Sequence, residues 1–318
     1  MKDMISKKLY LMLVLTLSLI ALPSSAQKKI TAEGDYIATD DDSPKKARAK
    51  ARDKAIFDAV CERLRRSRCL IHTATEEDVA RGMLLSGYSY IFSMARSREA
   101  LRALGYAEID RRNVINSPLS IEYYTRARIV EMFKKKRIPQ PPTSVISLKR
   151  GEVPEGRFPL WLKRGDACAQ ELDDVCYVPD AEALAKALDG FRERGLDEIV
   201  VCEHVEGDLV KFYGVEGTDF FYHYYPTRDN DFSKFGFERY NGAPHDYVFS
   251  LKKLKKAADR AARETSFYVY GGDCIVRPDG SFAIIDFNDW PSFSPCCQDA
   301  AVAIAERILQ MRPNVIIM

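Results

Sequence analysis

From residue 158 onward the apolar and polar positions change period repeatedly, and each change marks an element. "RFPLWLKRG" reads as a strand, "PDAEALAKALDGFRERG" as a helix, and "DEIVVCEHVEG" as a buried strand ending in a polar segment. "LVKFYGVEGTDFFYHYY" follows as a hairpin about Glu216-Gly217, and residues 229–247, aromatic and polar without a period, read as a long loop. "SLKKLKKAADRAARETS" is an amphipathic helix and "CCQDAAVAIAERILQM" a closing one. Between those helices, two runs rich in β-branched and aromatic residues flank Pro278-Asp279-Gly280-Ser281, which predicts a second hairpin.

The N-terminal half is less regular. "KKITAEGDYIATDDDSPKKARAKARDKAIFDAVCERLRR" reads as a strand, an acidic turn and a long basic helix, capped by Ser43 with Pro44 in its first turn. "SRCLIHTA" and "YSYIFSMA" read as short strands on either side of "TEEDVARGMLLSG", a pattern that fits a small α/β lobe. A further short strand, a Ser-Pro break and a helix from about Ser120 to Lys136 come next, stopped by Pro139, Pro141 and Pro142. At the start, Lys2, Lys7 and Lys8 precede "LYLMLVLTLSLIAL" and "PSSAQ", with small Ser24 and Ala26 before Gln27. This is the pattern of a cleavable secretory leader over 1–26, and its apolar run is too short for a stable membrane span.

Composition narrows the function. A chain of 318 residues, 46% hydrophobic, can bury a core in two or three lobes. Its 48 basic against 46 acidic residues give a net charge of +2, which points away from nucleic acid as a partner. The eight cysteines lack zinc-type spacing; Cys61 with Cys69, or Cys168 with Cys176, could pair in an oxidising compartment.

The chemistry gathers in the last hairpin. Asp286 and Asn288 are two apart and share one face of a strand. With Asp273 opposite them they would offer hard oxygen ligands, which suit magnesium bridging carboxylates to nucleotide phosphates. Lys163 ends an apolar strand, and Glu203, Glu206 and Asp208 cluster after another.

Taken in order, five segments over roughly 92–309 resemble the ATP-grasp superfamily. "IFSMARS" followed by "VINSP" resembles the end of its small leading domain. "NSPLSIEYYTRARIVEMFKKKRIPQPPT" resembles its entry helix, where Arg126 or Arg128 would reach the phosphates. "FPLWLKRGD" resembles the strand whose lysine, here Lys163, contacts the α and β phosphates. "VVCEHVEGDLVKFYGV" resembles the hinge to adenine and ribose, which implies Cys202, Glu203, Val205, Asp208 and Lys211 as nucleotide-binding residues. The final hairpin resembles the metal-binding strands and implies Asp273, Asp286 and Asn288.

The resemblance implies an α+β, ATP-grasp fold of two α+β lobes (119–200 and 201–318) behind a small α/β pre-ATP-grasp domain (27–118). It also implies ATP and Mg2+, with Lys163 and Arg126 as the catalytic cations. The implied reaction joins a small-molecule or peptide carboxylate to an amine through an acylphosphate. A kinase of a small hydroxylated substrate, with Arg228, Lys234 or Arg239 meeting an anionic substrate, is the alternative. A third is an exported binding protein on a relic grasp fold. Two departures stand out: "RGDACAQELDDVCYV" replaces the usual glycine-rich phosphate lid, and Asp286 stands where glutamate is usual. The leader predicts export and the ATP dependence predicts the cytoplasm.

Overall fold

The structure is a computed structural model that describes residues 10–15, 28–31, 35–38, 44–111, 114–169, 171–229 and 237–311. The expected cleavage positions Ser24 and Ala26, the cap Ser43, and Lys234 lie outside the described residues.

Among the described residues, three four-stranded sheets organise the chain. The first belongs to an N-terminal domain of β1 (Tyr10–Leu15), the hairpin β2 (Lys28–Thr31) and β3 (Asp35–Ala38), α1 (Pro44–Arg66), β4 (Leu70–Thr75), α2 (Glu76–Ala80), β5 (Tyr90–Ser93), α3 (Arg98–Arg111) and β6 (Val114–Ile115). Its order is β4-β1-β5-β6, with every pair parallel. Tyr10–Leu15, from the apolar run of the expected leader, therefore lies between β4 and β5. An apolar run of this kind is also what a strand flanked on both sides in a parallel sheet requires.

The next unit holds α4 (Pro118–Tyr123), α5 (Arg126–Lys136), β7 (Thr143–Ser147), β8 (Leu160–Arg164), β9 (Val175–Val178), α6 (Ala181–Glu193) and β10 (Glu198–Glu203) in the antiparallel order β7-β10-β8-β9. The single helix expected over 120–136 is two helices. The Thr125 side chain accepts from Arg128 N and starts α5 afresh. Leu160 and Leu162 pack beneath α6 with Leu188 and Phe191. Strand alternation therefore turns Trp161 and Lys163 to the other face.

The last unit holds β11 (Asp208–Val215), β12 (Phe221–Tyr224), α7 (Pro226–Asp229), α8 (Leu251–Thr265), β13 (Val269–Val276), β14 (Phe282–Asp289) and α9 (Cys297–Gln310), with sheet order β12-β11-β13-β14. Leu254, Ala258, Ala261 and Ala262 form the buried stripe of α8, which covers Val210 and Phe212 on one face of this sheet. The opposite face looks toward β8. α1 and α9 share a core with Phe92, Trp290 and Phe293, which joins the N-terminal domain to this unit. Fully buried Asn116 adds a polar tie, accepting from Val269 N at 2.8 Å and donating to Val269 O at 2.7 Å. Among the described residues no helix is long and apolar enough to cross a membrane, and Cys61, Cys168, Cys176, Cys202 and Cys274 are free thiols.

Candidate active site

A cavity of about 430 Å³ lies between the β8 sheet and the β13–β14 hairpin. Residues of both lobes reach it because of strand parity. On β11, Val210 and Phe212 face α8, so Leu209, Lys211 and Tyr213 face the cavity. On β13 the cavity-facing set is Gly271, Asp273 and Ile275.

The β13–β14 register sets Asp273 opposite Asp286 and Gly271 opposite Asn288. A bulge between Asp273 and Cys274 then shifts the ladder by one residue at Ile285. The Ile285 carbonyl accepts from Lys163 Nζ at 2.8 Å, across the gap between the two sheets. Lys163 is 9% exposed, so its ammonium is held inside the cleft. Asn288 Nδ2 donates to Asp286 Oδ2 at 3.1 Å, and Lys211 Nζ lies 3.0 and 3.1 Å from the two oxygens of Asp273.

Arg126, at the start of α5, donates to Arg164 O at 3.2 Å and approaches Asp286 Oδ1 at 3.9 Å. Arg128, the other expected phosphate contact, is turned away: its guanidinium covers the Tyr123 ring at 4.3 Å. Burial alone would raise the Asp286 pKa. Arg126 and Lys163 reverse that and hold it below the ordinary carboxylate value.

Two carboxylates and one amide make a modest metal set, and among the described residues no cluster of three His, Cys, Asp or Glu offers a fuller cage. Magnesium does not need one, because it keeps waters and takes its remaining ligands from substrate phosphates. The donor chemistry of Asp273, Asp286 and Asn288 fits that ion.

Cys202, Glu203 and Val205 line the cavity from the end of β10, and the Glu203 carboxylate accepts from Arg157 N at 3.2 Å. Asp208 does not join them. It lies on the α8 side of β11, about 1% exposed, and accepts from His245 N at 2.6 Å and Tyr247 N at 2.9 Å. Asp208, implied as a nucleotide-binding residue, instead anchors the chain that leads into α8, because its strand position has the parity of Val210 rather than of Lys211.

Several cavity residues carried no expectation from sequence. Trp161 stands on the same face of β8 as Lys163, and its Nε1 donates to His204 Nδ1 at 3.0 Å. Tyr177 and Tyr240 stack at 4.6 Å beside it, and Phe237 meets its indole edge-on, so aromatic rings from both lobes close that end. Cys168, in the loop after β8, lies 3.4 Å from Asn288 Oδ1; the residue is exposed at the cleft mouth, and desolvation of its thiol together with nearby Asp286 pushes its pKa up.

At the other end Asp289 lines the cavity and holds Arg96 of the N-terminal domain at 2.6 Å. Trp290 packs edge-on against Phe92 at 4.5 Å, and its buried Nε1 has no hydrogen-bond partner among the described residues. Of the expected substrate-loop cations, Arg228 pairs with Asp246.

No family model and no curated protein matches the chain. Solved structures do. A D-alanine–D-alanine ligase from Bacillus anthracis complexed with ATP superposes with TM-score 0.53 at 11% identity, over 95% of this chain and 96% of that one. A RimK domain ATP-grasp protein from Sphaerobacter thermophilus gives 0.53 at 13%, over 94% and 99%. The ATP-grasp ligase PsnB complexed with minimal precursor gives 0.55 at 12%, over 94% and 98%.

Proposed function

We propose that this chain, which has the ATP-grasp fold, is an ATP-dependent, magnesium-dependent ligase that activates a carboxylate as an acylphosphate and passes it to an amine. One observation carries the reading: Lys163 of one lobe bonds the Ile285 carbonyl of the other, next to Asp286, in the cavity that Asp273 and Asp286 line. The solved structures that share the fold include ATP-grasp ligases, one complexed with ATP.

Lys163 and Arg126 hold the phosphate chain from the β8 side, with Arg126 presenting a planar donor set. Asp273, Asp286 and Asn288 would hold magnesium, which supplies charge neutralisation between the β and γ phosphates. Lys211 now neutralises Asp273 and becomes available to phosphate once that carboxylate has another partner. Cys202, Glu203 and Val205, with Trp161 and its aromatic neighbours, form the base end. The acceptor carboxylate displaces ADP from the γ-phosphorus, and the amine then displaces phosphate from the acyl carbon. Positioning and electrostatics do this work without a protein nucleophile.

A second reading, phosphoryl transfer to a hydroxyl, is favoured if the acceptor enters at the end lined by Asp289. A Cβ at Gly271 would lie 2.6 Å from Pro291 Cβ and 2.9 Å from Tyr213 Cδ1, so no side chain can stand there. Asp289 already engages Arg96, which leaves little cationic help for a carboxylate.

Calorimetric titration of ATP into the full chain, with and without magnesium, tests the shared premise. Binding that requires the metal is expected, and absence of ATP binding refutes it. Product analysis then separates amide with ADP and phosphate from a phosphorylated acceptor. In the same assay Lys163→Ala is expected to weaken ATP by about 10- to 100-fold, the worth of one charge-assisted contact. Unchanged affinity would return Lys163 to a purely structural role.

A further inference from the structure

A second concavity lies on the far side of the β11–β13–β14 sheet, behind α8 and away from the cleft. This groove, of about 650 Å³, is bounded by α8, by Arg137–Pro139 after α5, and by the turn Asp279–Ser281 with Phe282. Lys253, Lys256 and Arg260 line it from α8, and Arg137 faces it from the other wall. All four are exposed. Neighbouring Lys136 and Lys255 are neutralised by Glu264 and Asp259, whereas none of these four has an acidic partner among the described residues. The one acid in the lining among the described residues, Asp279, is spent on its own turn, accepting from Ser281 N at 2.9 Å.

This charge works against its own helix. Lys253 and Lys256 stand three apart, Lys256 and Arg260 four apart, and like charges at those spacings cost a helix about 0.2–0.5 kcal/mol per pair. Lys252 and Lys253 also sit in the first turn of α8, where no acid is present and the helix dipole disfavours cations. An anionic occupant removes both penalties.

We infer that this groove is a docking site for a carboxylate-rich peptide segment. Along α8 the three cations rise by about 4.5 and then 6 Å, between the roughly 3.4 Å of successive and 7 Å of alternate residues of an extended chain. Arg137 and Arg260 present planar forks that take carboxylates in pairs. A flat anionic membrane meets a concave wall poorly. Nucleic acid finds a single aromatic side chain, half-buried Phe282, where single strands need stacking platforms.

The test uses the full chain and a fluorescein-labelled oligoglutamate peptide, with fluorescence anisotropy read at low and at physiological ionic strength. Saturable binding, weakened by salt and absent for an oligoglutamine control, is expected. The double variant Lys253→Glu/Arg260→Glu should lose at least about tenfold in affinity while ATP binding stays unchanged. Its melting temperature should hold or rise, since a carboxylate in place of the Lys253 ammonium suits the first turn of α8. No oligoglutamate binding, or binding that survives the double reversal, overturns the inference. Preference for phosphatidylserine vesicles or single-stranded DNA over the peptide overturns the assigned partner.

Discussion

Asp286→Ala is expected to abolish the magnesium-dependent part of ATP binding, a loss of at least about a hundredfold, or near 2.7 kcal/mol. The metal-free part should hold or tighten slightly. Asp286 stands 3.9 Å from Arg126 and draws on the field of Lys163, so its removal frees two cations for phosphate and deletes a carboxylate that repels it. Opposite movements of the two components identify a metal ligand, because general damage to the cleft would weaken both. Calorimetry with and without magnesium measures them, and Asn288→Ala should move both in the same directions by less. A variant whose magnesium dependence matches the parent would remove Asp286 from the metal site.

Asp174→Ala is expected to cost about 3–5 kcal/mol of stability, the usual result of removing one member of a buried ion network. Asp174 is fully buried within the segment between β8 and β9. Its carboxylate meets Arg194 at 2.7 Å and Arg164 at 3.3 Å, and also accepts from Glu171 N at 3.0 Å. Alanine removes the one carboxylate that Arg194 pairs with among the described residues and leaves Arg164 with Asp166 alone, whereas Asp174→Asn keeps acceptor capacity and should lose less. Denaturant unfolding of the full chain decides the matter, and a loss under about 1 kcal/mol would mean that solvent replaces the carboxylate. The segment between β8 and β9 is thus braced by charge.

Much of the grasp region was legible because its signals are local. The periods after residue 158 foretold β8, α6, β10, the β11–β12 hairpin, α8, the β13–β14 hairpin and α9. The two-residue spacing of Asp286 and Asn288 was enough to place both on one face. What failed needed three-dimensional knowledge. Asp208 and Lys211 lie in one short polar stretch, but only the packing of Val210 and Phe212 under α8 tells which of them faces the cavity.

Arg96 and Asp289 are 193 positions apart and meet only through domain packing. α3 went unexpected because its core is little more than Ala100, Leu101 and Leu104. The run around Tyr10–Leu15 satisfies the rules for a leader and for a buried parallel strand alike. Only its pairing with both β4 and β5 shows the second use, and a chain trimmed before residue 27 would lack the strand that separates them.

The chain has two tryptophans, and both border the cleft: Trp161 at the end closed by Tyr177 and Tyr240, Trp290 at the end closed by Asp289 and the N-terminal domain. Their surroundings differ, since one indole N–H is bonded to His204 and the other has no partner among the described residues. The cleft therefore carries an intrinsic fluorophore at each end, in different surroundings. Trp161→Phe and Trp290→Phe would each leave one reporter, so that ligand arrival at either end can be followed by stopped flow without a label.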